Sequence, residues 1–174
     1  MKRLFCALLA LAMLLTAAAA FAEKIVVLTD VATGAKVTFE MEGEYSIEYD
    51  EHCTADYVQF TVSRDGVCPV IVSVFARDAE DKNMNDMTDE ELEAQRASLE
   101  ADLADEGYVV TIETTSFGNK YINCIAASEN GSVQQRYTVF EDFDMCRIQY
   151  SEGLFTEADT AFLAEVQASL WVEK

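Results

Sequence analysis

The chain has one proline, one histidine and one tryptophan in 174 residues, and only 12 lysines and arginines against 32 aspartates and glutamates. Each scarcity excludes something. A histidine-based triad would have to use His52, because no other histidine exists. Its neighbour Cys53 is no nucleophile for it in an extended segment, where adjacent side chains point to opposite faces. A more distant Cys–His pair is not signalled by any local motif. The five cysteines contain no C-x-x-C, so neither a zinc knuckle nor a thioredoxin-type redox site is indicated. There is no G-x-S-x-G, no Walker loop, no G-x-G-x-x-G and no H-E-x-x-H. Carboxylates are so many that a glycosidase-like pair could be chosen at will, so none is singled out. No catalytic residues are therefore assigned, and no cofactor.

The shortage of bases bears on partners. A net charge of −20 repels phosphate backbones and anionic membranes, which argues against both. Divalent cations, basic proteins and basic peptides are the electrostatically natural partners, and solubility alone is the plainer role of such a surface.

Long apolar runs are also scarce: one occurs, in "MKRLFCALLALAMLLTAAAAFAEK". Lys2 and Arg3 precede an apolar core, and Ala20-Phe21-Ala22 forms a small-residue cleavage signal. Residues 1–22 read as a secretory signal peptide, with Glu23 as the mature N-terminus. The rival reading is a retained anchor, since 4–22 is nearly long enough to span a bilayer. Cys6 lies too early for a lipid-modified cysteine. Loss of Lys2 and Arg3 takes the charge from −20 to −22. Residues 23–174 suit a single domain, expected to be secreted or held in the cell envelope and monomeric. Cys53, Cys68, Cys124 and Cys146 then allow two disulfides in any of three pairings.

Strand signals fill much of the remainder. "KIVVLTD" (24–30) and "AKVTFEM" (35–41) flank a loop with Gly34 and read as a hairpin. "EYSIEYD" (44–50) and "DYVQFTV" (56–62) alternate. "PVIVSVFA" (69–76) is nearly continuous, as in a strand covered on both faces, with Pro69 at its tolerant first position. Strands are expected again at 108–117, 120–128, 132–140 and 144–151, with Asn130-Gly131 as a two-residue turn. That turn also explains the glycosylation-like Asn130-Gly131-Ser132. Helices are expected at 89–106, with Leu92, Leu99 and Leu103 on one stripe and Gly107 as cap, and at 157–170, capped by Thr156 with Phe162, Val166 and Leu170 inward. Tyr45, Tyr49, Tyr57, Phe60, Tyr137, Phe140, Phe143 and Tyr150 read as core or cross-strand residues, with a binding groove as the rarer role. The fold class is α+β: a mostly antiparallel sheet of about seven to nine strands with helices packed on it. Short turns put one strand between Cys124 and Cys146, opposite Arg136 and Thr138, which leaves the two cysteines unpaired.

"DAEDKNMNDMTDEEL" (78–92) resembles a calcium loop, with Asp81, Asn83 and Asn85 at alternate positions. An EF-hand needs Gly at its sixth position and Glu at its twelfth; here those are Asp86 and Leu92. A helix start fits better. Thr88 and Glu91 make a T-x-x-E capping box, and Met87 and Leu92 a hydrophobic staple. Asp78, Asp81 and Asp86 remain candidate calcium ligands, and the acidic stretch 78–106 a candidate cation or basic-partner surface.

"EYSIEYDE", "PVIVSVFARD", the capped acidic helix, "FGNKYINCIAAS", "SVQQRYTVFEDFDMCRIQYSEG" and the closing "ASLWVEK" together resemble the PsbP-like proteins. The resemblance runs from about Lys24 to Lys174. It implies an α/β/α sandwich and a non-enzymatic scaffold. Members include a photosystem accessory family, a Ran-binding import factor and secreted bacterial proteins of unknown role. The expectation is an exported, non-catalytic binding or accessory domain. The alternatives are a calcium-dependent surface protein using 78–106, or a hydrolase with an unrecognised site.

Overall fold

Hairpin turns organise the chain almost throughout. The computed structural model describes residues 24–29, 36–49, 57–76, 82–140 and 143–173. The leader with its Ala20-Phe21-Ala22 signal, His52, Cys53 and the candidate ligands Asp78 and Asp81 lie outside the described residues. In order the elements are β1 (Lys24–Thr29), β2 (Lys36–Met41), β3 (Ser46–Tyr49), β4 (Tyr57–Ser63), β5 (Val70–Ala76), α1 (Asp89–Asp102), β6 (Val109–Thr114), β7 (Lys120–Ser128), β8 (Gly131–Val139), β9 (Phe143–Ser151), α2 (Glu157–Ser169) and β10 (Leu170–Glu173).

The fold is α+β. Seven strands form one sheet in the order β3-β4-β5-β9-β8-β7-β6, and three form another in the order β1-β2-β10. All pairings are antiparallel. The sequence led us to expect one sheet and a helix running to 170. Instead "LWVE" leaves the helix and pairs with the edge of β2, from Leu170 opposite Phe39 to Glu173 opposite Lys36. The open edge of β2 gives these backbone groups ladder partners, which a frayed helix end lacks.

Register ties the faces of the larger sheet together. One row runs Thr111–Asn123–Arg136–Arg147–Val72–Phe60–Tyr49 across all seven strands. Partners in an antiparallel pair share a face, so this row lies on one side of the sheet. On its apolar half α2 packs Phe162, Leu163 and Val166 against Val70, Val72, Val74 and Met145, joined by Val37 and Met41 of β2. On the opposite side α1 buries Leu92 against Val110, Ile122, Cys124 and Val139, with Met84 and Met87. The two helices therefore cover opposite faces.

The start of α1 is as the sequence implies. Thr88 Oγ1 accepts from Glu91 N at 3.2 Å, and Glu91 Oε2 accepts from Thr88 N at 2.8 Å. Met87 and Leu92 share one apolar cluster, which is the staple. Thr88→Ala is expected to cost about 1 kcal/mol, read as a lower denaturant midpoint with an unchanged slope. The helix ends early. Residues 104–106 form a 3₁₀ turn, and Gly107 closes it at φ 73°.

Both turns of the C-terminal meander sit one residue from the expected place. Ser128 pairs with Gly131, so Glu129 and Asn130 form the tip and Gly131 opens β8. Val139, not Phe140, pairs with Asp144. Cys124 is thus opposite Gln135 and Cys146 opposite Tyr137. A one-residue slip moves a strand's side chains to the other face. Both cysteines moved together, so they still share a face with β8 between them. Cys68, Cys124 and Cys146 are all free thiols.

Candidate functional site

The calcium-like stretch has structural duties. The Asn83 side chain caps a 3₁₀ turn at Met84–Asp86 by accepting from Asn85 N at 3.0 Å. Asn85 Oδ1 accepts from Lys120 N at 2.7 Å and fixes the start of β7. Asp86 is exposed. Among the described residues, no group of three or more His, Cys, Asp or Glu is placed to hold a metal. Along α1, Glu91 pairs with Lys82 at 2.5 Å, and Arg96 spans Glu93 and Glu100 at 2.7 and 2.8 Å. These pairs offset part of the acidic face.

The thiols are not poised for attack. Burial pushes the Cys124 thiol up to about 12 and the Cys146 thiol up to about 11. A thiol in that range carries almost no thiolate at neutral pH.

The aromatics divide. Tyr45, Phe60, Phe140 and Phe143 are buried, and Tyr49 meets Phe60 at 6.4 Å in a tilted pair. Tyr150 is 52 % exposed, contrary to a core role. Phe117, which the sequence did not single out, is 77 % exposed at the tip between β6 and β7.

Phe117 also lines a concavity. A groove of about 1410 Å³ runs beside α2. Its walls are the β2–β3 connection, the end of β4, the residues around Phe117 and the outer side of α2. Five acids line it: Glu40, Glu42, Glu44, Asp65 and Glu165. Among the described residues, the one base on its wall is Arg64. Arg64 is already committed, since its Nη1 and Nη2 reach Glu165 at 2.6 and 2.7 Å and Nη2 donates to Glu42 O at 2.8 Å. Its guanidinium also lies 4.7 Å from the Phe162 ring centre, which anchors it to the core. The hydrogen bonds to Glu165 raise its pKa. Glu40, Glu42, Glu44 and Asp65 make no ion pair among the described residues. The groove can therefore receive positive charge without displacing a base. Sequence reasoning missed it because its walls come from segments far apart in the chain.

The second feature lies on the polar half of the row described above. Arg136 and Arg147 are direct cross-strand partners on one face, 4 % and 1 % exposed. Around them Asn123, Ser132, Gln134, Thr138 and Gln149 are buried too. Burial lowers the Arg147 pKa to about 9, opposed by Cys146 and reinforced by Arg136. It remains a cation at neutral pH.

No family model matches the chain, and no curated protein matches it in sequence. Among the described residues no helix is long and apolar enough to cross a membrane.

Proposed function

We propose that the chain is an exported, non-catalytic binding domain of the PsbP-like sandwich type, and that it holds a basic, extended segment of a partner protein in the groove beside α2. One observation carries this reading: four carboxylates without an ion pair among the described residues line a groove whose one base among those residues is already committed to Glu165. The exposed Phe117 ring in the lining offers an apolar or cation–π contact. The two helices on opposite faces of a seven-stranded antiparallel sheet agree with the sandwich expectation.

Fluorescence anisotropy with a labelled lysine-rich peptide tests the proposal. Binding is expected at low salt, weakening as salt screens the groove. The double variant Glu42→Lys/Glu44→Lys is expected to bind at least about tenfold more weakly, which corresponds to about 1.4 kcal/mol. Both positions are exposed, so folding should survive. Equal affinity in the variant, or equal binding of a glutamate-rich peptide, contradicts the proposal.

A further inference from the structure

Buried charges are normally paired and exposed ones are often not. Here the four described arginines invert that rule. Arg64 and Arg96 touch solvent, and both form two-point ion pairs. Arg136 and Arg147 are buried, and neither forms an ion pair among the described residues.

The surrounding groups supply no unoccupied carboxylate. Arg147 Nη2 donates to Thr138 Oγ1 at 2.5 Å, while its Nε has no partner. The Arg136 Nε has none either. The neighbouring side-chain carboxylate is Glu113 on β6, and it is occupied. Its Oε2 accepts from Tyr121 at 2.7 Å, and its Oε1 from Asn123 at 3.0 Å and Thr111 at 3.1 Å. Other nearby acceptors are taken by amides: Asn123 Oδ1 by Gln134 at 3.3 Å, and Thr138 Oγ1 by Gln167 at 2.8 Å. The Tyr121 ring, 5.2 Å from the Arg136 guanidinium, holds that side chain in place. Gln149 Oε1 and Gln167 Oε1 are also without partners, but both are neutral amide oxygens; among the described residues the layer holds two cations against the one carboxylate of Glu113.

Its outer margin lies at the edge strand of the sheet. From Arg147 the row runs outward through Arg136 and Asn123 to Thr111, with Gln134, Ile125 and Val109 beside it. Thr111, Ile125 and Val109 are exposed, so the layer meets solvent at the β6 edge.

We infer that Arg136 and Arg147 form an internal oxyanion site that takes a small carboxylate or phosphate group entering from the β6 edge. Arginines at directly paired positions of one face can offer forked N–H donors to a planar carboxylate or to two oxygens of a tetrahedral phosphate. The bound charge relieves the repulsion between them. The site uses none of the groove residues, so either proposal stands or falls alone.

The test uses the whole mature chain at neutral pH. Thermal melting is followed in sodium phosphate, in sodium succinate and in sodium chloride of matched ionic strength. An anion at ten times its dissociation constant should raise the midpoint by about 4 °C. A shift with phosphate alone, or with succinate alone, assigns the source; a shift with both makes the site a general oxyanion site. Arg136→Gln should abolish the shift. A second measurement needs no variant. On adding phosphate or succinate, the Nε–H resonances of Arg136 and Arg147 should move while those of Arg64 and Arg96 stay. No midpoint shift with either anion, a shift retained in Arg136→Gln, or movement confined to Arg64 and Arg96 overturns the inference.

Discussion

Replacing Asp159 with alanine is expected to destabilise the fold by about 3 kcal/mol. Asp159 is the third residue of α2 and is buried at 5 % exposure. Its Oδ2 accepts from Thr156 N at 2.8 Å and from Thr156 Oγ1 at 2.6 Å. Its Oδ1 accepts from Cys68 N at 2.8 Å. One carboxylate thus closes the capping box of α2 and clamps that helix to the loop before β5. Hydrogen bonds to a charged acceptor contribute about 1.5–3 kcal/mol each, and alanine leaves donors without partners. The Thr156 hydroxyl, then the Cys68 and Thr156 amides, hold the carboxyl down at about 2. A carboxyl held lower in the folded state than in the unfolded chain binds fewer protons when folded. Its stabilisation is complete above the ordinary value of 3.8 and lost as pH falls towards about 2. The wild type should lose stability across that window, and Asp159→Ala should show a flatter profile there. Urea unfolding from pH 5 to pH 2 measures both. Asp159→Asn keeps an acceptor for Cys68 N and should fall between the two.

Gly131→Ala should cost a similar amount, about 3 kcal/mol, for a different reason. Gly131 has φ 141°, where a side chain is strained. A Cβ there would lie 2.5 Å from Ser151 O, a backbone atom of the neighbouring strand. Either the β8–β9 ladder moves or the turn does. Gly107, at φ 73°, has open space around a Cβ. Gly107→Ala should therefore lose only about 1 kcal/mol, from the left-handed backbone alone. Paired denaturation curves for the two variants separate the close approach from the backbone conformation. Equal losses would mean that the Ser151 contact is not what requires glycine at 131.

Local chemistry explains what was legible from sequence. "DMTDEEL" carries a cap, a reciprocal glutamate and a staple within seven residues, so the start of α1 could be read directly. The Asn130-Gly131 pair announced a turn but not its register. Gly131 is required by Ser151 on the next strand, a contact the local sequence does not contain. β10 was missed because "LWVE" follows a helix, and its extension depends on the free edge of β2, about 130 residues earlier. The polar layer was hidden more deeply. In "SVQQRYTV" the polar residues Ser132, Gln134, Arg136 and Thr138 alternate with Val133, Gln135, Tyr137 and Val139, mostly apolar or aromatic, which ordinarily places the polar set towards water. Only tertiary structure shows that this polar face is buried. The acidic groove was invisible for the same reason, whereas the acidic helix, continuous in sequence, attracted attention, although Glu91, Glu93 and Glu100 of it are ion-paired.

The groove and the acidic helix are therefore the two surfaces between which a basic partner chooses. A titration of the isotope-labelled chain with a lysine-rich peptide, followed through backbone amide resonances, distinguishes them most directly. The proposed function predicts shifts at 40–46, 63–65, 116–119 and 164–170, with residues 89–106 unmoved. Shifts confined to 89–106, or none at any peptide concentration, would contradict it.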